Sequence, residues 1–219
     1  MYLSECYCFD GDKPLKTVIR NYTKADIHDL IDIQRECFPP PFPEELWWNE
    51  EQLLNHVTIF PEGAFCVEVE GKIVGSMTGL LVNYSPGDTH TWEEITDNGY
   101  IKNHDPKGNT LYIVDISVRP GSRKLGLAQK MMQAMYQTVI YKKLDRLLGG
   151  GRMPRYHQYA DHLTAEEYVN QVITGTIQDP VLTFLLRSAR MPVGLLKDYL
   201  EDEESHHYAL LMEWRNPFK

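Results

Sequence analysis

The stretch Asp115-Ile116-Ser117-Val118-Arg119-Pro120-Gly121-Ser122-Arg123-Lys124-Leu125-Gly126-Leu127-Ala128 holds the residues with the most chemistry to offer. Leu111 to Val118 is an apolar run of β character that ends ahead of Pro120. A basic, glycine-containing loop follows and opens into a segment with helical periodicity. Where a strand delivers such a loop to a helix N-terminus, the unpaired N–H groups of the first turn and the positive end of the helix dipole face outward together, and an anion suits them. Gly126 carries no Cβ to hold an anion away from the backbone, and small Ala128 lets the helix sit close. Asp115 and Ser117 bring polarity to the carboxyl end of the strand, where α/β sheets open a cleft, so Asp115 is a candidate proton acceptor. A local cap or ion pair is the other use such a carboxylate has. On strict alternation Tyr112, Val114, Ile116 and Val118 share one face, and Leu111, Ile113, Asp115 and Ser117 share the other.

Composition narrows the ligand. The 219 residues carry a net charge of −9, which argues against nucleic acid or an anionic membrane as the main partner and is compatible with a cationic acceptor. The loop has neither the three glycines of a dinucleotide fingerprint nor the Gly-Lys-Ser/Thr of a P-loop. Cys6, Cys8, Cys37 and Cys66 lack metal-ligand spacing and read as free thiols in a reducing compartment. No signal peptide or spanning segment is legible, so a cytoplasmic location and no membrane contact are expected. His206-His207 beside an acidic run reads as a solvated turn, because adjacent strand residues point to opposite faces.

The elements that must position the loop follow from pattern. Residues 1–15 read as an N-terminal arm, and residues 16–219 as one domain. Thr17–Arg20 is a short strand. Thr23 and Asp26 cap a helix whose apolar face is Ile27, Leu30, Ile31 and Phe38, with Gln34 as a polar break. The prolines at 39, 40, 41 and 43 end it, and a second helix is expected from Glu44 and Glu45 through Val57. Ala64–Glu70 and Lys72–Leu81 form a hairpin about Gly71. Residues 84–109 are a long polar connection, expected as a functional or mobile lid. After the loop comes a helix with Ala128, Met131, Met132, Met135 and Val139 on its core face. Leu147–Arg152 is a strand whose Gly149-Gly150-Gly151 marks a close approach by a ligand or another backbone. Helices begin at Thr164 and Asp179, and a hairpin closes the chain around the acidic tip 201–205.

The loop resembles the coenzyme A signature of the GNAT N-acetyltransferase superfamily, Arg/Gln-x-x-Gly-x-Gly/Ala after a strand ending Val-x-Pro, here Arg123-x-x-Gly126-x-Ala128 after Val118-Arg119-Pro120. The order of elements is similar to that fold from about residue 16 onward, and Tyr199 to Glu213 resembles its terminal hairpin. The resemblance implies an α/β (α+β) fold, a central mixed sheet of about seven strands flanked by helices. It also implies transfer of an acetyl group from acetyl-CoA to a small-molecule or protein amine, by direct attack in a ternary complex and with CoA as product. A non-catalytic acyl-CoA-binding regulatory module is the alternative. By the same resemblance Ile116, Ser117 and Val118 hold the pantetheine arm, and Arg123, Lys124, Leu125, Gly126, Leu127 and Ala128 hold the pyrophosphate. Asp115 and Tyr156 are the catalytic pair implied, the tyrosine protonating the departing thiolate. The usual Asn-then-Tyr segment is replaced by Gly151-Arg152-Met153-Pro154-Arg155-Tyr156-His157, so His157 and Tyr159 compete with Tyr156. Glu44, Glu45, Trp47, Trp48, Glu50 and Glu51 fall where the family builds its acceptor pocket; a helix with one buried and one solvated face is the plainer reading. Pro39–Trp48, Leu147–His157 and the tail Glu213–Phe218 are similar to acetyltransferase domains that precede a carbon-nitrogen hydrolase (nitrilase-type) domain in bacteria. With the chain ending at Lys219, that hydrolase is expected only as a partner. Exposed strand edges at the closing hairpin suggest a homodimer.

Overall fold

The computed structural model describes residues 1–219. Eight strands form one sheet: β1 (Leu3–Asp10), β2 (Lys13–Asn21), β3 (Ala64–Val69), β4 (Lys72–Val82), β5 (Thr110–Val118), β6 (Arg146–Arg152), β7 (Met191–Leu196) and β8 (Ala209–Arg215), in the spatial order β1-β2-β3-β4-β5-β6-β8-β7. Every neighbouring pair is antiparallel except β5 and β6. That parallel pair is in register only from Thr110·Arg146 to Tyr112·Leu148. Beyond it the two strands part, and the sheet forks. The eighth strand is the residue 1–15 segment expected as an arm: Leu3–Asp10 pairs along its whole length with β2 and buries Cys8.

Two helices sandwich the fork. The first, α1 (Ile27–Cys37), starts from the expected Thr23/Asp26 capping box and buries Ile27, Leu30, Ile33 and Gln34 against β4 and β5. Ile33, not Ile31, completes its core face, because a stripe at i, i+3, i+6 and i+7 fits the helix better there. The helix after the basic loop, α4 (Leu127–Tyr141), covers the opposite face with Met131, Met132, Met135 and Val139. The second helix does not start at Glu44. That segment is one turn of 3-10 helix, and α2 (Glu50–Ile59) begins after Asn49, whose side chain accepts from the Gln52 N–H in a reciprocal cap. The acids around it are solvated, and of Trp47 and Trp48 only Trp48 is buried.

The 84–109 connection is packed down. It contains a short helix, α3 (Trp92–Thr96), and buries Trp92 and Ile101. The Trp92 indole N–H donates to the Val114 carbonyl (3.1 Å), and its backbone N–H donates to Tyr199 O (2.7 Å). The remaining helices, α5 (Ala165–Ile173) and α6 (Pro180–Arg187), start from the Thr164 box and the Asp179 cap. Asp202 in the acidic tip is buried, taking two hydrogen bonds of 2.7 Å from the Arg152 guanidinium.

Gly149, Gly150 and Gly151 are approached closely, but by side chains. A Cβ at Gly150 would lie 2.5 Å from Tyr199 Cζ, one at Gly151 2.7 Å from Leu185, and one at Gly149 3.2 Å from Ile113. The triple glycine therefore lets the two faces of the core close onto β6. Since the Tyr199 hydroxyl is bonded to Tyr112 (2.8 Å), its ring cannot swing aside. Gly150→Ala is expected to cost about 1–3 kcal/mol by overpacking, read as a lower denaturant midpoint at unchanged m; an unchanged midpoint would mean that Tyr199 is free to move.

Candidate active site

The fork is built by two local features. On β5 a bulge leaves Val114 as an extra residue, with Gly79 opposite Ile113 and Thr78 opposite Asp115. Directly paired residues share a face, so the bulge moves Asp115 and Ser117 onto the face of Thr78, Leu80 and Tyr112. Strict alternation had assigned them to the face of Leu111 and Ile113. From Ile113 to Val118 the edge of β5 that turns from β4 has no strand partner.

Asp115 is partly buried where α1 crosses this face. Its Oδ2 accepts from Gln34 Nε2 (2.9 Å) and from Ser117 Oγ (2.9 Å), while Gln34 Nε2 also reaches Ser117 Oγ (3.1 Å). Burial raises the carboxyl to about 6, and the Ser117, Gln34, Ile116 N–H and Trp48 donors pull the other way without cancelling it. A carboxylate so poised is ionised at neutral pH yet basic enough to take a proton. Cys37, at the end of α1, lies beside both Asp115 and Arg123. Burial first, then the Asp115 charge, push its thiol up to about 11.

The basic loop presents donors. Lys124 and Gly126 both have φ of +73°, and the backbone N–H groups from Lys124 to Gln129 make no hydrogen bond within the protein. A Cβ at Gly126 would meet nothing within 4 Å, so the backbone there faces open space. Arg119 pairs with Glu36, whereas Arg123 and Lys124 have no acidic partner; Arg123 Nε donates to Val118 O (3.2 Å). Six N–H groups without a protein partner, a helix N-terminus and two cations without an acidic partner fit a pyrophosphate, and the free β5 edge fits an amide-bearing arm. Ile116, Ser117, Val118 and Arg123 to Ala128 are thus brought together along one side of the fork.

Tyr156 lies in the 3-10 turn that follows β6. It is buried among Tyr168, His206 and Tyr208, and its hydroxyl donates to Leu163 O (3.1 Å). Tyr159 packs on Tyr168, and exposed His157 lies against the Glu204 carbonyl through Nδ1 (3.3 Å). None of the three has a contact with Asp115. Two polar clusters that sequence reasoning missed reach Thr78 and Tyr112, on the same face of the sheet as Asp115. In one, His56 Nε2 donates to Gly99 O (2.7 Å), which makes Nδ1 the acceptor for Tyr22 OH (3.0 Å), and Thr78 Oγ1 then donates to Tyr22 (2.8 Å). Burial lowers His56 to about 4, so it is neutral. In the other, Tyr112 OH bonds Tyr199 OH (2.8 Å) and His90 Nε2 (2.9 Å). No spacing singles out His56 or His90. Gln34 does have a signal: it is the polar break in an apolar helical face.

A scan of family models matches residues 27–149 to the acetyltransferase (GNAT) family. The Bacillus subtilis protein described as uncharacterized N-acetyltransferase YkwB is 54% identical over 217 residues, covering 99% of this chain and 96% of its own. The chain belongs to the acetyltransferase (GNAT) family. A second B. subtilis relative, the probable hydrolase YhcX, is 42% identical over 203 residues; the match covers 92% of this chain and 39% of that longer protein. Among solved structures, the GNAT-like decarboxylase GphF in complex with isobutyryl-CoA superposes with a TM-score of 0.76 at 24% identity, over 90% of this chain and 98% of that one. In this GNAT protein no helix is long and apolar enough to cross a membrane.

Asp115 and His56 oppose one another in pH dependence. The Asp115 carboxyl is raised from its ordinary value to about 6, so its burial costs nothing below the unfolded carboxyl value and stability falls as pH rises toward 6. His56 is depressed to about 4, so stability is intact above the ordinary histidine value and falls as pH drops from there to 4. Each group contributes on the order of 3 kcal/mol with opposite sign over the same window. Removing one exposes the other: Asp115→Asn is expected to lose stability more steeply than wild type between pH 6.5 and 4 in thermal melts. Parallel curves for the two proteins would refute the opposition.

Proposed function

We propose that this GNAT protein is an acetyl-CoA-dependent N-acetyltransferase that moves an acetyl group to a primary amine by direct attack in a ternary complex. The observation that carries the reading is the run of unpaired N–H groups at Lys124–Gln129 lying beside a free strand edge and a raised carboxylate. When bound, the thioester supplies an activated acyl group and a thiolate leaving group. The loop from Arg123 to Ala128 binds the pyrophosphate, and Ile116 to Val118 orient the pantetheine amides. Asp115 takes the proton of the ammonium acceptor, directly or through water, because only the neutral amine attacks. Tyr156 protonates the leaving sulfur, its hydroxyl exchanging the Leu163 carbonyl for that task. Cys37 stays a thiol near neutral pH, which supports direct attack over an acyl-cysteine route.

A small amine suits the acceptor side better than a protein terminus. Phe38 and Phe42, in the loop after α1, lie 5.8 and 4.9 Å from the Arg152 guanidinium at the end of β6. That loop thereby bridges the two arms of the fork, while Trp48, Trp92 and Tyr199 are buried on the same side.

Calorimetric titration with acetyl-CoA and with CoA tests the ligand. Micromolar binding is expected in wild type and loss in the double variant Arg123→Glu/Gly126→Asp, which places two carboxylates against the pyrophosphate. No binding in wild type ends the acetyltransferase reading. In an amine screen read by thiol release, small amines are expected to exceed peptides; the reverse order would point to a protein acceptor. Wild-type kcat/KM should rise with pH through an apparent value of about 6, a limb that Asp115→Asn abolishes. Tyr156→Phe should lower kcat by about 10²-fold or more, and an unchanged kcat removes that tyrosine from the mechanism.

A further inference from the structure

The two edges of the sheet are unlike. At β7, Pro192 lacks a backbone donor and a bulge falls between Pro192 and Gly194, both devices that blunt an edge. At the other end β1 has no proline, lysine, glycine or bulge, and all eight of its residues are in register with β2. Its outward backbone groups can be assigned. Tyr22 N–H donates to Ala64 O (3.0 Å) and Glu70 N–H to Lys16 O (2.9 Å), so even-numbered residues of β2 face β3 and odd-numbered ones face β1. Thr17, Ile19 and Leu15 therefore bond Cys6, Ser4 and Cys8, which leaves the N–H and C=O of Leu3, Glu5, Tyr7 and Phe9 pointing away from the sheet. The same four side chains share one face, and Leu3, Tyr7 and Phe9 are 68%, 60% and 59% exposed.

We propose that β1 pairs antiparallel with β1 of a second copy about a two-fold axis at Cys6, joining two eight-stranded sheets into one. The sequence of the strand selects that register. An axis at Cys6 sets Leu3 opposite Phe9 of the second copy and Glu5 opposite Tyr7, so all four residues with outward groups find partners and no two like charges meet. An axis at Glu5 would set two carboxylates face to face. An axis at Tyr7 would leave Leu3 opposite the Gly11 turn. Such a contact is isologous and closes at two copies, as most soluble assemblies do. It places Cys6 opposite itself in a pair without hydrogen bonds, where Cα atoms lie about 4.5 Å apart, within the span of a disulfide.

Light scattering on the eluted protein is expected to give twice the 25.4 kDa chain mass. Mild oxidation with diamide should then yield a cross-linked dimer on a non-reducing gel, lost in Cys6→Ser and kept in Cys8→Ser and Cys37→Ser. Tyr7→Glu, which sets a second carboxylate opposite Glu5 at both ends of the seam, should elute as a monomer with an unchanged circular-dichroism spectrum; if that variant does not fold, Leu3→Lys, which puts a cation opposite Phe9, makes the same test. A monomeric wild type at tens of micromolar overturns the proposal. So does a dimer that fails to cross-link through Cys6, or one that persists in both edge variants.

Discussion

The parting of β5 from β6 after Tyr112·Leu148 is the constraint on which the rest of the molecule depends. Two parallel strands left unpaired in the middle of a sheet would forfeit backbone hydrogen bonds unless something else met those groups. Here the Trp92 indole takes the Val114 carbonyl, and beyond it the β5 edge has no strand partner. The parting is held open from both faces. On one, Tyr199 presses against Gly150; on the other, Leu182 and Leu185 press against Gly151. Each approach needs the missing Cβ, so glycine in β6 belongs to the same design as the fork.

Within the fork the Val114 bulge decides the chemistry. By inserting one residue it turns Asp115 from the α4 face toward α1, where Gln34 and Ser117 can hold it. The carboxylate then sits in a balance: burial raises its pKa and three or four donors lower it, and the outcome near 6 is what a proton acceptor working at neutral pH needs. The neutral His56, bonded through Tyr22 to Thr78 on the neighbouring strand, supports that wall without adding charge to it. A protonated imidazole there would stabilise the carboxylate and weaken it as a base.

One side of the fork is assembled from distant segments. The α1–α2 loop, the 84–109 connection and the terminal hairpin meet over the fork through Phe42 on Arg152, Trp92 on Val114 and Tyr199 on Tyr112. Arg152 is itself fixed by Asp202, so the reach of the loop across the fork is set by an ion pair from the opposite end of the chain. Of the acids and tryptophans at 44–51, one side chain is buried. The acids stay in water, and only Trp48 turns inward.

The amino-acid sequence by itself determined the local elements and the anion loop. Capping boxes at Thr23 and Thr164, the Asp179 cap and the turn at Gly71 are short-range physics, carried by residues within four positions of one another, and the strand-loop-helix joint at Val118–Ala128 is one continuous stretch of chain. Gln34 was visible as a polar break, and Asp115 as polarity late in a strand. Tertiary structure alone decided which face Asp115 takes, because a bulge costs one residue of register and leaves no mark in an apolar run. It alone decided that residues 3–10 belong to the sheet, since an edge strand with one exposed face lacks the apolar density that marks a core. It also decided that His56, Tyr22 and Thr78 meet, and that Tyr156 bonds Leu163. Those contacts join residues far apart in the chain, and nothing in local spacing records a distance that only the packing of α1, α2 and the loops onto one sheet creates.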